Sequence, residues 1–176
     1  MSNFNTETFV AEIRDAARGE RAVQKIRDIM QEAVNDTQAV AAALGPFDGD
    51  DIILYEDETI SIQHCRFDPG LHVPPHDHRI TAIIGVYAGG EINHFYTAGD
   101  GPIKHKATKR VLPGDVVSMG PEAIHSVEAA TGDCGYAIHV YLGPLSTVER
   151  SLYDWDSGAV YRYTRDKYDE LLRHNA

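Results

Sequence analysis

The feature that most constrains this chain is its rhythm of turn signals. Between about residue 46 and residue 163 it is cut by Asp48-Gly49, Asp57-Glu58, Pro69-Gly70, Gly89-Gly90, Gly99-Asp100-Gly101, Pro113-Gly114, Gly120-Pro121, Gly132-Asp133 and Gly143-Pro144. Glycine tolerates positive φ and proline presets φ, so each pair bends the chain before a long element can form. Short runs rich in β-branched and aromatic residues lie between them: Thr59 to Phe67, Thr81 to Ala88, Glu91 to Thr97, Asp115 to Met119 and Gly135 to Leu142. Turns spaced roughly every eight to twelve residues predict an antiparallel sandwich or small barrel rather than a βαβ fold.

The flanks follow a different period. Val10, Ile13 and Ala17 lie three and four apart, and Gly19 is placed to stop that helix. A second helix beginning near Arg21 carries Val23, Ile26, Met30 and Ala33 on one face. Thr37 is positioned to cap a third, Gln38 to Leu44, which Gly45-Pro46 terminates. Arg165 to His174 reads as a last helix with Tyr168, Leu171 and Leu172 as its apolar positions. The expectation is one domain over residues 1–176: a helical extension over 1–45, a β-barrel over 46–163 and a C-terminal helix over 164–176. A chain of this length buries roughly 70% of the surface it would expose unfolded, so neither a disulfide nor a metal is needed merely to fold it. The acidic stretch from Asp48 to Glu58 reads as a solvated loop and strand edge.

Charge excludes several partners. The 16 basic and 27 acidic residues give a formal charge of −11, which phosphate backbones and anionic membranes repel. No apolar run approaches the ~20 residues of a membrane-spanning helix. The first seven residues lack the basic start and apolar core of a signal peptide, so the expected location is the cytoplasm. Cys65 and Cys134 are too few and too far apart for a disulfide framework or zinc finger, and free thiols are expected. Nine histidines in 176 residues are an enrichment, and several cluster.

The cluster with chemical content is Gly70-Leu71-His72-Val73-Pro74-Pro75-His76-Asp77-His78. Residues two apart on a strand share a face, so His76 and His78 project together as half of a metal site. A second segment, Pro113-Gly114-Asp115-Val116-Val117-Ser118-Met119-Gly120-Pro121-Glu122-Ala123-Ile124-His125, runs from a tight turn through a strand and a second turn to another histidine. His72 reads as a loop residue, His64 and His94 as packing or surface residues, and Cys65 as a buried structural thiol. Trp155, with Tyr153, Tyr161 and Tyr163, is expected at the barrel mouth or against the helices.

Together the two segments resemble the paired motifs of the cupin superfamily, small antiparallel double-stranded β-helix barrels. Gly70, His76, His78 and Gly89 or Gly90 stand in register with the first motif, and His125 stands eleven residues after Gly114 as in the second. The pattern departs at Ala82 or Ile83, where the family has a metal-binding Glu, at Pro121, displaced by one position, and at Ala129, where the second motif closes on Asn. The resemblance covers roughly residues 60 to 145. It implies a mainly β fold of the cupin type with helices at its ends, and a metal held by His76, His78 and His125 alone.

A three-His set without the Glu is similar to that of the thiol dioxygenases, the cysteine dioxygenase group. Ala137-Ile138-His139-Val140-Tyr141 is similar to that group's Ser-x-His-x-Tyr relay, with Ala137 in place of the Ser, which shortens the relay. The resemblance implies Fe(II) as cofactor, His139 and Tyr141 as catalytic residues, and a small thiol and O₂ as substrates, the thiol emerging as a sulfinate. Ile83 stands where mammalian-type members carry a crosslinking Cys, so no crosslink is expected. The group's carboxylate-binding Arg has no counterpart near Leu54-Tyr55-Glu56-Asp57, which leaves Arg66, Arg79 or the Arg162 and Arg165 region to bind a substrate anion. Two other readings keep the fold: oxidative carbon–carbon cleavage of a small diketone, and a non-catalytic cupin that binds a metal or small ligand. Cupins also pair through strand edges or helices, so a homo-oligomer is compatible with the resemblance.

Overall fold

The computed structural model describes residues 4–174. Three helices come first: α1 (Thr6–Ala17), α2 (Ala22–Asn35) and α3 (Thr37–Leu44). Asn5 caps α1 by accepting the Thr8 amide at 2.9 Å. At α3 the cap is Asp36, which accepts the Ala39 amide at 3.0 Å, and the predicted capping residue Thr37 is the first helical position instead. The buried face of α2 is Ile26, Met30 and Val34, all fully covered; Val23, expected on that face, is 37% exposed. Each of those buried side chains contributes on the order of 1.5–3 kcal/mol by leaving water.

Strands follow: β1 (Asp51–Glu56), β2 (Ser61–Phe67), β3 (Leu71–Asp77), β4 (Ala82–Ala88), β5 (Glu91–Gly99), β6 (Gly101–Val111), β7 (Val116–Met119), β8 (Ile124–Ala129), β9 (Gly135–Tyr141), β10 (Ser151–Tyr153) and β11 (Val160–Arg162). The final helix, α4, spans Arg165–Leu171, shorter than predicted, because Arg173–His174 pair with β3 as a two-residue strand, β12. Residues 175–176 lie outside the described residues. The strands form two sheets of antiparallel pairs, ordered β1-β2-β9-β4-β7 and β11-β10-β3-β8-β5-β6, with β12 beside β3. This is the mainly β, antiparallel architecture that the turn rhythm predicts, arranged as the double-stranded β-helix that the motif resemblance implies.

The two sheets are covered differently. The helices pack on the outer face of the five-stranded sheet, where Phe9, Ile13, Ile26, Met30 and Val34 meet Ile60, Ile62, Ile83, Ile138 and Val140. Gly85 on β4 lets α2 approach, since a Cβ there would lie 2.8 Å from the Met30 methyl. The turn from β4 to β5 also depends on glycine. Gly89 has φ +62, and a Cβ on Gly135 would lie 2.4 Å from the Gly90 carbonyl oxygen. That close passage sets the start of β5, and therefore Glu91, against β9.

On β3 and β8 the register runs His72↔Glu128, Val73↔Val127, then His76↔His125. Pro74 and Pro75 together oppose a single residue, so the strand carries a bulge, a position that tolerates residues without an amide hydrogen. His72 and His76, four apart, consequently point to opposite faces. Among the described residues no helix is long and apolar enough to cross a membrane.

Candidate metal centre

Between the sheets lies a cavity of about 110 Å³, lined by residues of both. His76 at the end of β3, His78 just beyond it and His125 on β8 project into it, their candidate ligand nitrogens all within 4.8 Å of one another. All three are buried, at 7, 5 and 1% exposure. His76 donates its Nδ1 hydrogen to the Pro74 carbonyl at 2.8 Å, and His125 donates its Nδ1 hydrogen to Asn93 Oδ1 at 2.8 Å. Each bond fixes its ring and turns an unprotonated Nε2 toward the cavity. The Nε2 atoms of His78 and His125 are 2.9 Å apart, while His78 Nδ1 is buried without a partner.

Burial is the main cause of a depressed pKa at each ring: His76 falls to about 4, and His78 and His125 fall well below the ordinary value. The centre thus offers three neutral imidazoles converging on one point, with a buried ring nitrogen that has no protein partner. That is a donor set suited to a metal ion, and its members are histidines alone. Ala82 and Ile83, where the cupin motif that this segment resembles has its Glu, are buried apolar residues of β4.

Asp77, between the first two histidines, points away from the cavity. It accepts the Ser151 amide and the Tyr153 hydroxyl, both at 2.9 Å, and pairs with Arg79 Nε at 2.9 Å. The link ties β3 to β10 directly behind His76 and His78.

His139 and Tyr141, adjacent inward positions on β9, also line the cavity. The Tyr141 ring packs 4.9 Å from the His78 ring, centroid to centroid, and its oxygen lies 3.1 Å from His139 Nδ1. His139 donates its Nε2 hydrogen to Glu91 Oε1 at 3.0 Å. Glu91 Oε2 accepts from Asn93 Nδ2 at 3.1 Å, and Asn93 in turn holds His125. The relay is therefore not shortened by Ala137: Glu91 bonds His139 and carries the chain onward to His125. Neither Glu91 nor Asn93 stands out in the sequence. The available signal was two polar residues at i, i+2 on a strand, directly after a double-glycine turn.

Burial lifts the Tyr141 pKa to about 12 and also raises that of the Cys65 thiol. Burial opposes a proton on His139, but Cys65, Tyr141 and Glu91 outweigh it and hold the imidazole well above its ordinary pKa. Cys65 is buried as expected, yet it lines this cavity beside His139.

The arginines expected at a substrate anion fall in three places. Arg66 reaches the cavity wall but is paired with Asp68 at 2.5 Å. Arg79, at φ +58, is paired to Asp77 and does not line the cavity. Arg162 pairs with Glu149, and Arg165 with Asp50 and Asp169, on the surface. The sequence reading missed Arg150, in the irregular segment before β10, which lines the cavity with its guanidinium carbon 3.6 Å from the Tyr163 ring centroid. Of the expected aromatic cover, Tyr163 lines the cavity, Trp155 donates to the Leu171 carbonyl at 2.8 Å, and Tyr161 is 38% exposed.

No family model matches this chain. Among solved structures, the DMSP lyase DddQ from Ruegeria pomeroyi is similar with a TM-score of 0.52 and 16% identity, over 84% of this chain and 95% of that one. A cupin superfamily protein from Desulfitobacterium hafniense gives 0.47 and 13%, over 58% and 86% of the two chains. A protein with a double-stranded β-helix domain from Klebsiella pneumoniae gives 0.45 and 18%, over 61% and 83%. At these identities the similarity to DddQ is one of fold.

Proposed function

We propose that this chain is a non-haem Fe(II) dioxygenase that oxidises a small anionic thiol to its sulfinate. The reaction is R–SH + O₂ → R–SO₂H, with both oxygen atoms placed on sulfur and no external reductant. The observation that carries the reading is the buried centre of three neutral imidazoles with the Tyr141 hydroxyl group beside it. Bound there, Fe(II) would lower the pKa of a ligated thiol and hold O₂ next to it, since three neutral ligands leave the metal its charge and open positions.

The chain's own residues supply the rest. His76, His78 and His125 stay unprotonated at neutral pH, so no proton competes for their lone pairs. His139 donates its Nε2 hydrogen to Glu91, and its Nδ1, 3.1 Å from the Tyr141 oxygen, orients the hydroxyl group that would donate its hydrogen to a bound substrate. Tyr141 keeps that hydrogen at any physiological pH. Arg150, stacked on Tyr163 in the cavity wall, is the group we assign to the substrate's anion in preference to Arg66 or Arg79, which already hold carboxylates. An anion clamp in the cavity also favours a charged thiol over a neutral diketone.

The test is O₂ uptake by the Fe(II)-loaded protein with cysteine, 3-mercaptopropionate, cysteamine and mercaptosuccinate, with acetylacetone and DMSP as non-thiol arms. The reading predicts uptake with a carboxylate-bearing thiol and formation of its sulfinate. Arg150→Ala should raise KM for that thiol by about 10-fold or more, the worth of a charge-assisted hydrogen bond of at least ~1.5 kcal/mol. Tyr141→Phe should lower kcat. Turnover of a non-thiol arm alone, or uptake unchanged in Tyr141→Phe, would overturn the reading.

A further inference from the structure

Glu91 is fully buried at the start of β5, and Asn93, two residues on, is 1% exposed on the same inward face. Together they join two groups of the cavity that approach from different sheets. His125 Nδ1 donates to Asn93 Oδ1 at 2.8 Å, Asn93 Nδ2 donates to Glu91 Oε2 at 3.1 Å, and His139 Nε2 donates to Glu91 Oε1 at 3.0 Å. Tyr141, at the far end, packs its ring against His78, so the chain leaves one metal-facing histidine and returns to another.

The direction of three of the four bonds in this chain follows from one group. A carboxylate only accepts, so Glu91 requires a hydrogen from each neighbour. It takes one from the Asn93 amide, which turns the Asn93 carbonyl oxygen toward His125 and places the His125 hydrogen on Nδ1. It takes the other from His139, which places a hydrogen on Nε2 there. We propose that Glu91 and Asn93 are positioning residues that jointly set the hydrogen on His125 and on His139, coupling the metal-facing Nε2 of His125 to the orientation of the His139–Tyr141 pair. This rests on the metal-centre part of the proposed function and not on the choice of substrate.

The chain can be broken and rebuilt without changing its shape. In Glu91→Gln the side chain accepts through one oxygen and presents an NH₂ to a second donor. Either Asn93 turns over, which moves the His125 hydrogen to Nε2, or His139 gives up its Nε2 hydrogen. Adding Asn93→Asp restores the pattern. The carboxylate introduced at position 93 accepts from His125 and from the NH₂ introduced at position 91, while the amide oxygen at position 91 accepts from His139. Both substitutions are isosteric.

Two measurements test the proposal, and neither needs turnover. Nitrogen-15 NMR of the imidazole rings in metal-free protein should show His125 protonated at Nδ1 and His139 at Nε2. One of these should be lost in Glu91→Gln and regained in Glu91→Gln/Asn93→Asp. Zn(II) affinity, measured by competition with a chromophoric chelator, should fall about 10- to 100-fold in Glu91→Gln and recover in the double variant. Wild-type tautomers and Zn(II) affinity in Glu91→Gln would overturn the proposal, as would a folded double variant that regains neither. Should Glu91→Gln fail to fold, the double variant must still fold with wild-type tautomers, and its failure would also overturn it. Absence of thiol oxidation would leave these results unaffected, so the two accounts fail separately.

Discussion

On the inner face of the seven-stranded sheet, His76 and His125 stand opposite each other on β3 and β8, buried and turned toward a common point. On the outer face of the same two strands, His72 stands opposite Glu128, with the partners 25 and 20% exposed. There His72 and His94 bind the two oxygens of Glu128 at 3.1 and 2.8 Å, and Thr108 lies within 3.0 Å of His94 and 2.8 Å of His105. Similar residues on the same strands serve different chemistry. Inside, burial keeps the rings neutral and gives them no carboxylate to bind; outside, a carboxylate satisfies them in reach of water. The environment of a histidine, rather than its presence in a strand, decides whether it is available to a metal.

Two carboxylates turned away from the cavity, Asp77 buried and Glu128 partly exposed, provide the largest contrast. Asp77→Ala removes the acceptor of the Ser151 amide, the Tyr153 hydroxyl and Arg79, and strands buried donors behind the metal centre. Chemical denaturation should show a loss of about 3 kcal/mol or more, the cost of breaking hydrogen bonds to a buried charge. A loss no larger than that of Glu128→Gln would dissolve the comparison.

His64 separates face from burial. It lies on the outer face of the other sheet, yet under Phe47, Tyr87 and Tyr136 it is only 1% exposed, and burial lowers its pKa to about 4. Above pH 6.5 this ring is neutral folded and unfolded, and adds no pH dependence. As pH falls from there toward 4, only the unfolded chain takes up the proton, so stability falls by up to about 1.4 kcal/mol per pH unit. Denaturation of metal-free protein at a series of pH values should show a slope steeper by that amount than in His64→Gln over the same window. Parallel curves would mean that the outer face, and not burial, sets its behaviour.

The smallest effect is expected outside. Glu128→Gln weakens two part-exposed histidine–carboxylate contacts and should change stability by less than about 1 kcal/mol.

Much of this arrangement was legible in the sequence, for local reasons. Turn residues act over two or three positions, so the spacing of Pro69-Gly70, Gly89-Gly90 and Pro113-Gly114 gives away the strand lengths and the antiparallel fold. His76 and His78 share a face because they are two apart, and His139 and Tyr141 for the same reason. Bulges and long-range pairings are not local. The doubled Pro74-Pro75 shifts His72 to the outside, against both its loop reading and its even spacing from His76. Glu91 gains its role only because the Gly89-Gly90 turn passes against Gly135. Arg150 sits in an irregular segment with no periodicity to mark it.

The most direct test of the central claim is the iron retained, after anaerobic loading and desalting, by wild type, His125→Ala and His94→Ala, with folding checked by circular dichroism. The account predicts a single Fe(II) per chain in wild type and in His94→Ala, and none in His125→Ala. Iron kept by His125→Ala, or lost from His94→Ala, would place the metal elsewhere and contradict it.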